Sequence, residues 1–295
     1  MNASLKIGFI GAGKVATALA SALAGKGYTV QAVSSRSLDS AQRLAASLGP
    51  QTRTCVTAQE VADFSDLVFI TTPDDAIGAV VGQVAWRRGQ QAVHCSGALS
   101  VDVLNPVLKA GGETASFHPL QSFASQRQDP FSGITVGLEG HRRFLELLKG
   151  IAADLGARSI VVPSAEKAAY HAAAVFASNY VVTLTKTGTD MLKGLHVREA
   201  DAEAALLGLL RGVVRNMEEN GVQRALTGPI ARGDVGTVQR HVATLAKSPP
   251  LADAYRSLGR LTVPIAQARG SLNPRAAAEI LDALVGDSKE VDQRR

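Results

Sequence analysis

The apolar and polar positions fall into two textures along the chain. From Leu5 to about Val162, short apolar runs alternate with amphipathic stretches. Leu5–Ile10, Tyr28–Ser34, Leu67–Thr72, Ala92–Cys95, Ile134–Leu138 and Ser159–Val162 read as strands, and Lys14–Ala24, Leu38–Leu48 and Arg142–Leu155 as helices. The run Leu67–Thr72 is apolar almost throughout, as a strand buried on both faces should be. Strands and helices alternating at this interval imply right-handed βαβ units and a doubly wound, mostly parallel sheet. After Pro163 the strand-like alternation stops. Ser164 reads as a helix N-cap, and helical patterns then cover Ala165–Leu192, Glu199–Asn220, Val235–Leu245, Ala252–Leu258 and Arg275–Leu284. Asn220-Gly221 has the form of a helix stop and Asn273-Pro274 that of a start, with Asp234 as an N-cap between them. The pattern therefore predicts an α/β domain over residues 1–162 and an all-α domain over 163–295, with a polar, frayed tail from Asp287.

Composition changes this picture only at the margins. Aromatic residues make up 4% of the chain, so Ala, Leu, Val and Ile must build the core. The net charge of +5 is dispersed, with only short pairs such as Arg87-Arg88 and Arg142-Arg143, and no basic run is interleaved with aromatics. That argues against a nucleic-acid partner and suits an anionic small molecule. Cys55 and Cys95 form no CxxC, and no HExxH or paired acidic cluster occurs, so neither a structural nor a catalytic metal is expected. Met1 to Ile10 run straight into a strand, which leaves no room for a signal peptide and points to the cytoplasm. The longest apolar stretch, Ala168–Thr185, is broken by Tyr170, His171, Ser178, Asn179 and Tyr180, and reads as a buried helix rather than a membrane span.

The strongest chemical signal is the run Gly8-Phe9-Ile10-Gly11-Ala12-Gly13-Lys14-Val15-Ala16. A GxGxxA spacing between an apolar strand and a helix is the dinucleotide-binding fingerprint of a Rossmann domain. Gly11 permits the tight turn, Gly13 lets the backbone approach a pyrophosphate, and Ala16 allows the helix to pack closely on the strand. Gly11, Ala12, Gly13, Lys14 and Val15 are the expected phosphate contacts, at a helix N-terminus whose N–H groups favour an anion. At the end of the second strand, an NAD site places a carboxylate for the ribose 2′-hydroxyl. This chain has Ser34, Ser35, Arg36 and Ser37 there, a guanidinium and hydroxyls suited to a 2′-phosphate, so NADP(H) is the expected cofactor. Thr71, Thr72, Pro73 and Ser96 follow two further strands, where they would line the nicotinamide and its ribose.

At this point the chain resembles known families. IGFIGAGKVATAL at its start is similar to the N-terminal domains of pyrroline-5-carboxylate reductases and deazaflavin-dependent NADP oxidoreductases. The fuller resemblance is to a bacterial family that joins such a domain to a helical domain of unknown function. It rests on Ser116-Phe117-His118-Pro119-Leu120-Gln121-Ser122-Phe123, on Tyr170-His171 through Ser178-Asn179-Tyr180, and on Gly228-Pro229-Ile230-Ala231-Arg232-Gly233-Asp234. Some members of that family act as an alternative class of ketopantoate reductase, so the resemblance implies ketopantoate as a candidate substrate. Conventional ketopantoate reductases carry a lysine four residues before an asparagine on the first long helix of the second domain. Here Val175 precedes Asn179 at that spacing. Where pyrroline-carboxylate reductases have Ser-Gly-Ser-Gly-Pro, this chain has Phe176-Ala177-Ser178-Asn179-Tyr180, so neither mechanism transfers directly.

Reduction of a carbonyl needs a donor for the oxygen that gains charge. On a continuous helix, His171, Val175, Ser178 and Val182 share one stripe with Asn179 at its margin, which makes His171, Ser178 and Asn179 candidates. His118, expected in a loop before Pro119, is a fourth, and Arg232 is a candidate clamp for a substrate carboxylate. Lys186 and His241 read as structural or solvated. The expected function is an NADP(H)-dependent oxidoreductase acting on a small, anionic carbonyl or imine compound. Ketopantoate 2-reductase and a non-catalytic NADP(H)-binding sensor are the alternatives. The Ala-rich helices after Pro163 imply a homodimer through the second domain.

Overall fold

The structure, a computed structural model, describes residues 5–123 and 129–285. The expected tail from Asp287 lies outside the described residues. Among the described residues eight strands run as β1 (Lys6–Ile10), β2 (Thr29–Ser34), β3 (Arg53–Cys55), β4 (Leu67–Ile70), β5 (Gln91–His94), β6 (Glu113–Pro119), β7 (Thr135–Gly140) and β8 (Arg158–Val161). They form one sheet in the order β3-β2-β1-β4-β5-β6-β7-β8. Every neighbouring pair is parallel except β6 and β7, which are antiparallel. The first six strands thus follow the doubly wound order, with the switch between β1 and β4, and β7 and β8 extend the sheet in the opposite direction.

Helices α1 (Lys14–Gly25), α2 (Leu38–Leu48), α3 (Ala58–Phe64), α4 (Asp74–Gly82), α5 (Asn105–Lys109), α6 (Arg142–Asp154) and α7 (Lys167–Ala177) accompany this sheet. Alternation along the strands decides which helix packs on which face. Ile7, Phe9, Leu67, Phe69, Ala115, Phe117, Val136 and Leu138 join residues of α1, α2 and α6 in one core. Ile10, Ala32, Val68, Ile70 and Ala92 join residues of α3, α4 and α5 in a second. On β6 and β7, the side chains between those core positions are Ser116, His118, Gly137 and Glu139. That face of the pair is polar.

The chain divides into two compact units, residues 1–182 and 183–295. Helix α8 (Asn179–Gly194) carries the division, and α9 (Glu199–Asn220), α10 (Val235–Leu245), α11 (Pro249–Ala268) and α12 (Pro274–Val285) follow it. Val238, Val263, Ile280 and Leu284 of the last three helices form a third core. Asp234 caps α10 by accepting from the Thr237 N–H at 3.0 Å, and Asn273 accepts from Ala276 at 2.9 Å to open α12. In α8 and α9, by contrast, only Thr189 and Ala202 are buried. Among the described residues no helix is long and apolar enough to cross a membrane.

Several expectations are corrected. The short β3, α3, α4, α5 and the whole of β6 carry too few periodic positions to stand out alone, and their packing on the sheet supplies the missing signal. His118 lies on strand β6, not in a loop. The expected helix Ala165–Leu192 is broken at Ser178, whose φ of −127° and ψ of −77° leave the helical region, so the stripe from His171 to Val182 does not run along one helix. The stretch is also not buried, for Phe176 and Val182 are exposed. Ser164 caps nothing: Pro163 precedes a 3-10 turn, and the Ser164 hydroxyl donates to Glu139 instead. Helix α11 is much longer than Ala252–Leu258, because Pro264 is accommodated inside it.

Candidate active site

The glycine turn is built as its spacing requires. Gly11 has φ +110°, and a Cβ there would stand 2.7 Å from the Thr71 backbone. Ala16, fully buried, lets α1 pack against the sheet. At Gly13 the opposite holds: it is exposed, and an added Cβ would meet nothing within 4 Å. No side chain caps α1 and no acidic residue stands in its first turn, so the N–H groups at its start remain available to an anion. These residues fit a pyrophosphate. Ser34 is buried and its carbonyl accepts from the Gly11 N–H at 2.8 Å, which ties the end of β2 to the turn. Arg36 is exposed beyond it, while the Ser37 hydroxyl accepts from Ser40 as the cap of α2. Thr71 donates to the Gly11 carbonyl at 3.0 Å, and the Thr72 hydroxyl is buried without a hydrogen-bond partner.

A second set of polar side chains gathers on the polar face of β6 and β7. Lys167, in the first turn of α7, and Glu139 on β7 are both almost fully buried, with Nζ 3.5 Å from Oε2. Glu139 Oε1 accepts from Ser164 (2.7 Å), Val101 N–H (2.9 Å) and Ser100 (3.2 Å). Lys167 donates to Ser116 at 3.0 Å and reaches the Ser96 carbonyl at 3.4 Å. Ser96 in turn donates to Asp74 at 2.7 Å and accepts from the Ala98 and Leu99 N–H groups. The pair thereby ties the loops after β5 and β8 to the start of α7.

One turn further along α7, Tyr170 and His171 meet His118. The His118 Nδ1 lies 2.8 Å from the Tyr170 hydroxyl, and the His118 and His171 ring centres are 6.0 Å apart. Gly97 is the floor on which they close: a Cβ there would stand 2.7 Å from both His118 Nε2 and His171 Nδ1. His171 Nδ1 is buried without a hydrogen-bond partner.

The electrostatics follow from burial. Burial and the nearby Lys167 charge push His118 down to about 4, with His171 adding to the same effect, so its ring is neutral at pH 7. Burial and Lys167 push His94, on the neighbouring β5, down to about 4 as well. Burial pushes Tyr170 up to about 12 and Cys95 up to about 12. Glu139 is raised by burial, but its hydrogen bonds and the Lys167 charge outweigh that and hold it below the usual carboxylate range. Lys167 is lowered, because burial outweighs the attraction of Glu139. All three donors reach Glu139 Oε1, while Oε2 faces the ammonium and accepts no hydrogen bond.

The structure therefore brings together three of the expected site residues, Ser96, His118 and His171. Ser178 lies at the break after α7, where its exposed hydroxyl is 2.6 Å from the Ala174 carbonyl and 2.9 Å from Asn179 Oδ1. Arg232 is exposed in a turn of the second unit. Lys186 pairs with Asp190, and His241 Nδ1 lies 2.9 Å from the Tyr255 hydroxyl. Lys167, Glu139, Ser116, Tyr170 and Asp74 belong to the cluster and were not among the expected site residues, although Ser116 and Tyr170 stand in the runs that carry the family resemblance. For Lys167 and Glu139 the signal was a glutamate in the apolar strand β7, opposite Ser116.

Residues 1–119 match a Rossmann-like domain, and residues 134–262 match a domain of unknown function, DUF2520. The chain joins a Rossmann-like domain to a DUF2520 domain. The second match opens at β7, where the sheet changes direction. A protein from Bacteroides fragilis provisionally designated an NADP oxidoreductase is 27% identical, with a TM-score of 0.70 over 88% of this chain and 98% of its own. Protein TM1727 from Thermotoga maritima is 28% identical, with a TM-score of 0.69 over 90% and 99%. A pyrroline-5-carboxylate reductase from Coxiella burnetii shares the fold at 17% identity, with a TM-score of 0.57 over 91% and 99%. No curated protein matches the sequence.

Proposed function

We propose that the chain is an NADP(H)-dependent oxidoreductase of the cytoplasm that reduces a small, anionic carbonyl or imine compound. The observation that carries this reading is the closure of His118 and His171 on Gly97, in the loop that follows β5 of a sheet whose Gly11–Ala16 turn fits a pyrophosphate. The 27% identity to the Bacteroides fragilis protein supports the same cofactor. Gly11, Ala12, Gly13, Lys14 and Val15 would hold the pyrophosphate, Ser34, Ser35 and Arg36 the 2′-phosphoribose, and Thr71, Thr72, Pro73 and Ser96 the nicotinamide half. When bound, NADPH supplies a hydride. His118 and His171 flank the position of the reacting carbon and donate to the atom that gains charge. Ser178 and Asn179 orient the substrate, and Arg232 holds its carboxylate.

The helical part completes the enzyme as a homodimer. Leu195, Leu209 and Val213 are exposed on and after α8 and on α9, where almost nothing is buried, and a second copy would cover them. A monomeric mass by light scattering would reject that arrangement.

The direct test is oxidation of NADPH followed by absorbance, with ketopantoate as the first substrate and a panel of 2-oxo acids after it. His118→Ala should lower kcat/KM by about 10²–10³, the usual cost of one donor to a developing oxyanion. NADPH affinity should be retained. Tight NADPH binding without turnover on any member of the panel would reject the catalytic reading.

A further inference from the structure

We propose that Tyr170 fixes His118 as the tautomer with its proton on Nε2, and that the site therefore takes a carbonyl oxygen rather than a protonated iminium. The substrate half of this inference rests on the oxidoreductase reading above; the tautomer half does not.

Gly137 pairs with His118 across β6 and β7. A Cβ at Gly137 would stand 2.3 Å from the Tyr170 hydroxyl oxygen, so the phenol occupies the space that a side chain would fill. Seated there, the hydroxyl is 2.8 Å from His118 Nδ1. The phenol is half-buried, and His118 Nδ1 is the one side-chain partner its hydroxyl has among the described residues. With burial pushing the phenol up to about 12, its proton stays on through the physiological range, and the hydroxyl donates. An Nδ1 that accepts leaves the ring proton on Nε2.

That Nε2–H lies against Gly97, beside His171 Nδ1. The ring does not gain a second proton near neutral pH. The groups acting on it are Lys167 and His171 of α7, Asp74 at the start of α4 and His94 of β5. Burial, Lys167 and the two histidines all hold it neutral, against the pull of Asp74 alone. His118 is thus a fixed donor with no acceptor to offer.

This separates two substrate classes. A carbonyl oxygen accepts from Nε2–H, and accepts more strongly as it gains charge. When a hydride adds to the carbonyl carbon, the π electrons of the C=O bond pass to oxygen, and Nε2–H stabilises the negative charge there. Water supplies the proton that completes the alcohol, since a neutral imidazole does not release its last one in this range. A protonated iminium has an N–H in place of the accepting lone pair. Two donors would then face each other in a desolvated site, which is costly.

Nitrogen-15 NMR of the histidine rings reads the tautomer without any turnover. The wild-type protein at pH 7 should show His118 with protonated Nε2 and bare Nδ1, and Tyr170→Phe should show a mixture. Gly137→Ala, which displaces the phenol without removing it, should give the same mixture. In the NADPH assay, a 2-oxo acid should outrun the cyclic imino acid of equal carbon number. Tyr170→Phe should lower kcat/KM for the 2-oxo acid about tenfold, roughly one neutral hydrogen bond, with the Kd for NADPH unchanged. A proton on Nδ1 in the wild type, or faster turnover of the imino acid, would overturn the proposal. An Nε2–H tautomer in a protein that neither binds NADPH nor turns over any compound would sink the oxidoreductase reading and the substrate half with it, and uphold the tautomer half.

Discussion

The Gly11–Ala16 turn and the cluster around Gly97 both depend on a glycine that leaves room, but they assemble differently. The turn is made of consecutive residues, and its chemistry is carried by backbone N–H groups at the start of α1. It needs no buried charge. The cluster draws on β5, β6, β7 and α7, and its chemistry is carried by side chains whose positions depend on a buried ion pair, Lys167 with Glu139. Backbone sites of the first kind come with the fold. Side-chain sites of the second kind must be held in place, and here the holding is done by ionised groups that water would otherwise solvate. Such a pair is sustained only where further hydrogen bonds satisfy it, as Ser164, Ser100, Val101 and Ser116 do here.

Removing one member of the pair separates the two regions most strongly. Lys167→Met leaves Glu139 buried with neutral donors alone, and unfolding in urea should show a loss of about 3–5 kcal/mol. Replacing both, as Lys167→Met with Glu139→Leu, should recover much of that loss, because no unpaired charge remains. A loss below about 1 kcal/mol in the single variant would mean that water reaches the carboxylate, and the cluster would no longer differ in kind from the turn.

The turn should behave in the reverse manner. At Gly13 a side chain has open space, so Gly13→Val should leave the urea midpoint unchanged within about 0.5 kcal/mol. The same side chain occupies the place proposed for the pyrophosphate, and NADPH affinity should fall about 100-fold, or roughly 2.7 kcal/mol. Binding at wild-type strength, measured by fluorescence titration, would place the cofactor elsewhere.

How much of each region the sequence discloses follows from the same difference. The turn is legible because Gly11, Gly13 and Ala16 act within one strand-to-helix connection, and a spacing is enough to state the chemistry. The doubly wound sheet is legible for a similar reason, since Leu67–Ile70 and Lys6–Ile10 announce themselves as buried runs. The cluster is not local. Lys167 near a helix start carries no local signal of its own until the register of β6 on β7 places Ser116 opposite Glu139. Tyr170 gains its meaning only from Gly137, which belongs to another strand. The break at Ser178 was hidden as well, because Ala, Val and Phe on both sides sustain a helical pattern that the backbone leaves for one residue.

The histidines allow a pH test that sharpens the contrast. His94 and His118 fall from an ordinary value of 6.5 to about 4 in the folded protein. As pH drops below 6.5 the unfolded chain takes up protons that the folded chain refuses until about pH 4. Stability is therefore full above that window and is lost within it. The slope should approach about 1.4 kcal/mol per pH unit for each histidine. Urea midpoints at pH 7, 6 and 5 would measure it, and His94→Asn should remove one of the two contributions. Glu139, held below its usual range, adds its own loss only at lower pH still. A flat profile from pH 7 to 5 would show that the two rings are hydrated and that burial does not hold His118 neutral.

The smallest effect belongs to the rim of the turn, where exposed charge replaces buried structure. Arg36 stands exposed past the end of β2, and the neighbouring Ser37 hydroxyl is already committed to capping α2. If a guanidinium there recognises a 2′-phosphate, its contact is screened by solvent and contributes little to the fold. Arg36→Ala should therefore weaken NADPH binding about tenfold, or roughly 1.4 kcal/mol, and leave both NADH binding and the urea midpoint unchanged. The preference should also shrink as salt is added, since an exposed charge pair is screened where buried contacts are not. Equal losses for the two dinucleotides would assign Arg36 to the turn's structure rather than to the 2′-phosphate, and Ser34 and Ser35 would then be the remaining side chains at the end of β2 to carry the choice of cofactor.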